Sequence, residues 1–195
     1  RKLKPRVYVF GERVKSVVDY PLFRPHIAAA AMTYELAKYP EFEKEMTATS
    51  NLTGEKINRF THVHHSVDDL VNKVKMMRLL GQKTATCFQR CVGLDGLNAT
   101  YITTYDIDKK YGTNYHERFK KYLKYVQDND LMLAGAMSDP KGDRSLRPHQ
   151  QQDPDLYVHV VEKKDDGIVV RGAKAHITGT VNAHVIIAMP TRAMG

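Results

Sequence analysis

The sequence predicts an α+β fold in which a helical region is followed by the beginning of a β domain. Up to about residue 129, apolar residues recur mainly at helical spacing. Beyond that point, short β-prone segments alternate with turn-forming residues. We therefore expect a helical domain over residues 1–129 and part of a β domain over residues 130–195. A chain of 195 residues is long enough to bury a sizeable core.

The N-terminal segment mixes short β-prone and helical patterns. The run RVYVFGERV is β-prone and is interrupted by Gly11, and the following PLFRP indicates an irregular connection between two prolines. A helical pattern covers residues 27–46, with an interruption near Pro40. Residues 51–65 are polar and rich in turn-forming residues, so no regular element is predicted there.

The start of the next helix has a clear sequence signal. Ser66 followed by Asp69 is a capping-box pattern, and it predicts a helix that begins at Ser66 and ends near Gly81. Its apolar positions at helical spacing are Val67, Leu70, Val71, Val74 and Met77.

Two more helices are predicted after this one, over residues 82–110 and 115–128. The first contains Gly93 and Gly96, which weaken a helix. These glycines indicate either a kink or the close approach of a cofactor or a neighbouring backbone. The second helix is expected to bury one face, formed by Tyr115, Phe119, Tyr122, Leu123 and Val126.

The C-terminal third contains the predicted strands. They cover residues 131–137, 156–161, 167–172 and 184–189, and DDG at 165–167 predicts a hairpin turn between the second and the third. The first two strands are separated by a long polar loop, SDPKGDRSLRPHQQQDPD. Loops of this length are uncommon in compact domains and are often functional.

Composition and charge limit the possible partners. The net charge is +8, but the basic residues are scattered among acidic ones, without a basic helix or an RNA-binding aromatic signature. A phosphate-bearing cofactor or substrate therefore fits as well as a polyanion, and we predict neither a nucleic-acid nor a membrane partner. The chain has no membrane-length apolar run and no secretory signal, and its few cysteines indicate a reducing compartment, so a cytoplasmic location is expected. It starts without methionine and stops directly after a β-prone run, which suggests part of a longer polypeptide.

Cys87 and Cys91 are the only cysteines. On a helix, residues four apart are neighbours on one face, so the two thiols are expected to reach one soft ligand. Thiolates hold iron–sulfur clusters, usually with four ligands, and this chain offers two. The alternative is a pair of inert core cysteines. The histidines at 62, 64 and 65 lack a known zinc spacing, so a polar surface turn is favoured over a metal site.

Two loop segments carry polar groups suited to holding a polar ring or a pyrophosphate. MSDPKGDRS at 137–145 offers hydroxyls, carboxylates, an arginine and backbone amides directly after a predicted strand. KAHITGT at 174–180 ends another segment with a threonine and small residues. Taken singly, each is also compatible with an ordinary turn.

Together, these segments resemble a known superfamily. MSDPKGDRS is similar to the flavin-binding loop of acyl-CoA dehydrogenases, and KAHITGT resembles their second flavin segment, with His176 where tryptophan is usual. The opening RVYVFGERV…DYPLFRP resembles the 4-hydroxyphenylacetate 3-monooxygenase branch. Within that branch, TATCFQRCVGLDGLNA, KYGTNYHERF and DPKGDR…DPDLYVHVVEKKDDGIVVRGAKAH resemble the 4-hydroxybutyryl-CoA dehydratase family.

This resemblance implies an acyl-CoA dehydrogenase-like fold whose C-terminal helical bundle lies outside this chain. It also implies FAD, a [4Fe–4S] cluster and a homotetramer. The family dehydrates 4-hydroxybutyryl-CoA to crotonyl-CoA and isomerises vinylacetyl-CoA, by a flavin radical mechanism in which the cluster acts as a Lewis acid. The resemblance assigns Cys87 and Cys91 to the cluster, Arg78 and Gln89 to the substrate, and Met137, Ser138, Asp139, Asp143, Arg144, His176, Ile177 and Thr178 to the flavin. For Arg78, a solvated charge on the helix surface is the alternative. The catalytic base and the remaining cluster ligands are not assigned within this chain.

Two other functions compete with this interpretation. One is a flavin-dependent aromatic hydroxylase of the same branch, which uses reduced flavin and oxygen and needs no cluster. The other is a non-catalytic scaffold that binds flavin or CoA, because the chain supplies only half of a cluster's ligands.

Overall fold

The computed structural model describes residues 5–189, which form a mixed arrangement of helices and short strands. The α-helices are α1 (Arg24–Glu35), α2 (Glu43–Met46), α3 (Val67–Thr84), α4 (Cys91–Tyr111) and α5 (Tyr115–Asp128). The strands are β1 (Tyr8–Val9), β2 (Glu12–Arg13), β3 (Thr47–Thr49), β4 (Lys56–Asn58), β5 (Leu133–Ala136), β6 (His159–Lys164), β7 (Gly167–Arg171) and β8 (Val185–Ala188). The predicted α+β class is confirmed.

The described strands pair in four two-stranded sheets, β1–β2, β3–β4, β5–β8 and β6–β7. The chain divides into two compact units. Of the described residues, the first unit contains 5–134 together with Gly179–Val185, and the second contains Gly135–Thr178 and 186–189. The domain ranges 1–129 and 130–195 stay a prediction about the longer polypeptide.

The start of α3 confirms the capping box. The Ser66 hydroxyl accepts a hydrogen bond from the Asp69 N–H, and the Asp69 carboxylate accepts one from the Ser66 N–H. The predicted end at Gly81 is wrong, because α3 continues to Thr84 and stops where Ala85 takes a left-handed conformation (φ 52°). A glycine lowers helix propensity by only about 1 kcal/mol, so a packed helix tolerates it.

The core of the first unit lies between α1, α2, α3 and the beginning of α4. Its buried cluster consists of Leu36, Met46, Phe60, Met76, Leu80, Phe88 and Leu94. Gly93 lies directly against β5: a Cβ at this position would be 2.5 Å from the Leu133 carbonyl oxygen. Of the two explanations for the glycines of α4, close approach of a neighbouring backbone is therefore correct for Gly93.

Helical periodicity identified α3 and α5 but not all of their buried residues. Within the described residues, α3 buries Met76 and Leu80, whereas Val67 and Val74 are exposed at 75% and 64%. The helix α5 has the predicted bounds and buries Leu123 and Val126, but Tyr115 is exposed. Across residues 5–189, every helix is too short or too polar to span a lipid bilayer.

The second unit contains the predicted hairpin. β6 and β7 pair antiparallel around Asp165 and Asp166, with an irregularity in register between Val160 and Glu162. The long polar loop predicted before β6 is present and contains one 3-10 turn, Pro148–Gln150. In the first unit, the hairpin of β3 and β4 was missed: β4 lies within residues 51–65, where no regular element was predicted, and β3 lies directly before that segment.

Candidate functional site

The two cysteines flank a helix start in the first unit. Cys87 lies in the loop between α3 and α4, and Cys91 is the first residue of α4. The prediction of one continuous helix over residues 82–110 is therefore wrong. Ala85 and Gln89 have left-handed backbone conformations, with φ of 52° and 66°, which interrupt the helix.

Both cysteines are free thiols, and they differ in exposure. Cys87 is exposed and Cys91 is half-buried. Burial raises the pKa of the Cys91 thiol, and the proximity of Cys87 raises it further. The exposure of Cys87 argues against two inert core cysteines.

This pair can supply half of a cluster's ligands. Within residues 5–189, no three histidine, cysteine or carboxylate side chains are arranged to hold a metal ion. A [4Fe–4S] cluster usually takes four protein ligands, so Cys87 and Cys91 fit two of these positions. A bound metal would also oppose the raised pKa of Cys91, because a cation stabilises the thiolate. Their role as ligands stays a prediction.

Gln89 lies between the cysteines, and its side chain is held at both ends. Its Nε2 donates to the His26 carbonyl at 3.0 Å, and its Oε1 accepts from the Asn182 side chain at 2.9 Å. The residue is only 5% exposed. The other predicted substrate residue, Arg78, is exposed on α3. The contact of both residues with a substrate stays a prediction.

Sequence reasoning missed Arg90, the residue directly before Cys91. Its side chain is 1% exposed and pairs with Asp130, with 2.7 Å between Nη2 and Oδ1. A charged residue between two cysteines gives no sequence signal of burial, and its partner lies 40 residues away.

In the second unit, Lys174 joins the two segments predicted to line a flavin. Its Nζ lies 2.6 Å from Asp139 Oδ1 and donates to the Met137 carbonyl at 3.0 Å. The Ala175 N–H donates to the Ser138 carbonyl, also at 3.0 Å. Segments that are 35 residues apart in the chain are therefore adjacent, as a shared binding role requires.

The predicted flavin residues are largely accessible. His176 has a positive φ of 58°, which is uncommon for a residue other than glycine and occurs often at functional sites. Asp139 and Ile177 are half-buried, and the exposed residues are Met137, Ser138, Asp143, Arg144, His176 and Thr178. Their contact with a flavin stays a prediction.

The loop that carries Asp143 is closed by Gln151, which is buried. The Asp143 N–H donates to Gln151 Oε1 at 2.9 Å, and Gln151 Nε2 donates to the Asp143 carbonyl at 2.8 Å. A Cβ on Gly142 would clash with the ends of the Gln151 and Leu156 side chains, so an alanine at this position would require them to move. Hydrogen bonds from the Ser145 hydroxyl and N–H lower the pKa of Asp143.

The three histidines do not form a surface turn. His62 is 3% exposed, and its Nε2 lies 3.1 Å from Asp69 Oδ1. Both ring nitrogens of His64 are also buried, and only His65 is exposed, so the surface-turn prediction is wrong for the first two. Burial lowers the pKa of both His62 and His64, which favours neutral rings. Burial raises the pKa of Asp69, but hydrogen bonds from the His65 N–H and the Ser66 hydroxyl, together with His62, bring it down to about 2.

Comparison with known proteins confirms the resemblance. The chain is 62% identical over 194 residues to the 4-hydroxybutyryl-CoA dehydratase/vinylacetyl-CoA-Δ-isomerase of Clostridium aminobutyricum, covering 100% of this chain and 40% of that protein. An oxygen-tolerant archaeal 4-hydroxybutyryl-CoA dehydratase from N. maritimus superimposes with a TM-score of 0.90 and 52% identity, over 97% of this chain and 38% of that one. This chain therefore spans about 40% of the length of the curated relative.

Monooxygenases are more distant relatives. The oxygenase component of 4-hydroxyphenylacetate 3-monooxygenase from Thermus thermophilus is 27% identical, over 94% of this chain and 37% of that protein. A solved structure of such an oxygenase component complexed with FAD gives a TM-score of 0.66 at 25% identity, over 87% of this chain and 35% of that one. The family model described as 4-hydroxyphenylacetate 3-hydroxylase N terminal matches residues 1–195. The chain therefore belongs to the 4-hydroxyphenylacetate 3-hydroxylase N-terminal family.

Proposed function

We propose that this chain is part of an enzyme that dehydrates 4-hydroxybutyryl-CoA to crotonyl-CoA and isomerises vinylacetyl-CoA, a hydro-lyase with isomerase activity. The observation that carries the proposal is the difference in identity between its relatives. The dehydratase is 62% identical over the whole chain, whereas the monooxygenase component of Thermus thermophilus is 27% identical. The paired thiols add independent support, because an aromatic hydroxylase that uses only flavin has no need of them.

The proposed cofactors are FAD and a [4Fe–4S] cluster. FAD would supply one-electron transfer with the substrate, and a cluster iron would supply Lewis acidity at the C4 hydroxyl. Cys87 and Cys91 would bind the cluster as thiolates. Burial raises the pKa of Cys91 and so favours its protonated thiol before the metal binds. Since iron binds the thiolate, metal binding releases this proton, and assembly should be favoured by higher pH.

The remaining predicted site residues would bind and orient the flavin and the substrate. The exposed hydroxyl of Thr178 and the backbone around His176 would face the flavin, together with Met137, Ser138, Asp139, Asp143, Arg144 and Ile177. Arg78 would contact a CoA phosphate, since a guanidinium forms bidentate bonds with such groups. Gln89 would contact the acyl portion. No side chain among the described residues is assigned as the catalytic base.

The proposed homotetramer follows from the same resemblance, whereas the proposed location and the lack of nucleic-acid and membrane partners follow from the composition and pattern of the sequence. We propose self-association as a homotetramer, no nucleic-acid or membrane partner, and a cytoplasmic location. The substrate partner is 4-hydroxybutyryl-CoA or vinylacetyl-CoA.

The competing function is flavin-dependent aromatic hydroxylation. It is favoured by the family model itself, whose description names a hydroxylase. A non-catalytic scaffold that binds flavin or CoA is the other alternative, and it predicts neither activity.

The test uses the longer polypeptide that contains this chain, purified without oxygen. We expect a brown protein that contains flavin, iron and sulfide and forms crotonyl-CoA from 4-hydroxybutyryl-CoA. Cys87→Ser and Cys91→Ser should each lose iron and sulfide, whereas Val92→Ala, at a 47% exposed neighbour, should keep them. A yellow, iron-free protein that hydroxylates 4-hydroxyphenylacetate with reduced flavin and oxygen would reject the dehydratase proposal. A protein without either activity would support the scaffold.

A further inference from the structure

Arg90 is the largest fully buried side chain among the described residues. It lies between the two cysteines, directly before Cys91. Removing a guanidinium from water is costly, and the cost is recovered only when geometry and pairing are good. A buried cation at this position of the loop therefore calls for a specific role.

The guanidinium of Arg90 is bound from several parts of the first unit. Nη2 lies 2.7 Å from Asp130 Oδ1 and donates to the Leu131 carbonyl at 3.3 Å. Nη1 donates to the Thr33 hydroxyl at 3.3 Å. The planar group also lies over the ring of Tyr34, 4.3 Å from its centroid. One side chain thus connects the loop between α3 and α4, here called the cysteine loop, with α1 and with the segment after α5.

The partner carboxylate is itself held in place. Asp130 has a left-handed backbone conformation with φ of 42°, and its Oδ2 accepts from the Asn58 side chain at 3.1 Å. The position of the guanidinium is therefore determined by groups outside the cysteine loop.

The backbone of Arg90 sets the start of the cysteine helix. Arg90 is the N-cap residue of α4, and its carbonyl accepts from the Leu94 N–H at 3.2 Å. Because side chain and backbone belong to one residue, the contacts of the guanidinium also determine where Cys91 lies. The preceding residue, Gln89, is held independently through its carboxamide.

We infer that Arg90 is a positioning residue: its buried guanidinium holds Cys91 at the distance from Cys87 that lets both thiols bind one iron–sulfur group. The inference rests on the proposed function, because it needs that group. It assigns no contact between Arg90 and the substrate or the cofactors.

Substitutions can separate positioning from charge burial. Arg90→Lys keeps the charge but loses the planar fork that reaches Asp130, Leu131 and Thr33 together. Arg90→Met removes the charge and leaves the carboxylate of Asp130 without its cation. Arg90→Met combined with Asp130→Asn removes both charges. No carboxylate is then left without a cation, but the contacts of the guanidinium are still missing.

Arg59 provides a matched control in the same unit. It is 5% exposed, and its guanidinium donates to the carbonyl groups of Lys44, Glu45 and Thr47. Arg59→Met therefore also removes a buried, multiply bonded guanidinium, but one that holds a different segment.

The experiment uses the longer polypeptide and measures iron and sulfide content, the electron paramagnetic resonance spectrum after reduction, and the rate at which a chelator removes iron. We expect each Arg90 variant, including the double variant, to lose iron about 10- to 100-fold faster than the wild type, with an altered spectrum and an unchanged circular dichroism spectrum. Arg59→Met should keep the wild-type rate and spectrum, even where its melting temperature falls.

The other outcomes overturn the inference in distinguishable ways. Wild-type rates and spectra in both Arg90→Lys and Arg90→Met would reject the positioning role and leave the proposed function intact. Equally fast iron loss in Arg59→Met would show that the Arg90 variants lose iron through general destabilisation and not through misplaced thiols. If none of the Arg90 variants folds, the residue is needed by the fold rather than for positioning the thiols. An iron-free wild-type protein would overturn both the proposed function and this inference.

Discussion

The close approach of α4 to β5 can be tested with Gly93→Ala. The added Cβ would lie 2.5 Å from the Leu133 carbonyl oxygen and 2.9 Å from the Leu133 Cβ. Since carbon contacts are most favourable near ~3.5 Å, helix and strand would have to separate by roughly 1 Å. Overpacking of this kind costs about 1–3 kcal/mol. The displaced segment begins with Cys91, so the change also bears on the proposed metal site.

Gly81→Ala is the matched control, because it makes the same chemical change in a helix where the added Cβ meets nothing within 4 Å. Helix propensity favours alanine by about 1 kcal/mol in both variants. The propensity gain cancels in the comparison, so the difference between the two variants isolates the packing cost.

The assay is urea denaturation of both variants and the wild type, followed by circular dichroism. Gly81→Ala should be more stable than the wild type, and Gly93→Ala should be less stable than Gly81→Ala by about 1–3 kcal/mol. Equal stabilisation of the two variants would show that α4 and β5 are not in close contact at Gly93.

Three further predictions concern buried charges. Asp69→Asn should lower the free energy of unfolding by about 2 kcal/mol at pH 7, because the pKa of Asp69 is lowered from 3.8 to about 2 in the folded protein. The lowered pKa stabilises the fold above pH ~4. The difference from the wild type in urea denaturation should therefore shrink between pH 4 and 2. Burial lowers the pKa of His64 below 6.5, so protonation favours the unfolded chain; the wild type should lose stability from pH 7 to 5, and His64→Leu should lose less in the same assay. Lys174→Met should lower the free energy of unfolding, measured by urea denaturation, by about 3–5 kcal/mol. It breaks the ion pair with Asp139, in which the two side chains are only 9% and 12% exposed. Lys164→Met, at an exposed pair, should cost less than ~1 kcal/mol. Equal losses in the two lysine variants would contradict the burial of the Lys174 pair.

Local signals predicted the helices well where the structure depends on local interactions. The bounds of α5 and the capping box of α3 are both local features, and both were predicted. The end of α3 was not, since it depends on the left-handed conformation of Ala85, a residue with no sequence preference for it.

The burial of individual side chains depends on packing, which a one-dimensional pattern does not contain. The same periodicity that predicted α3 placed Val67 and Val74 on an apolar face, yet both are exposed in the described part of the chain. His62 shows the opposite error, because a polar residue in a turn-rich segment is buried against Asp69.

The segments of the candidate site were predicted from the sequence, but the buried side chains that hold these segments in place were not. The resemblance identified both flavin-type segments and the cysteine pair. It could not identify the buried partners that hold them, since Arg90 pairs with a residue 40 positions away and Lys174 with one 35 positions away. Such pairs form only after the chain has folded.

Whether Cys87 and Cys91 bind a cluster can be measured by Mössbauer spectroscopy of the longer polypeptide, loaded with isotopically enriched iron, with and without both thiols. The wild type should give the signal of a [4Fe–4S] cluster, and the Cys87→Ser/Cys91→Ser variant should lose it. An unchanged cluster signal in the double variant, or a wild-type protein without iron, would contradict the claim that these two sulfur atoms bind a cluster.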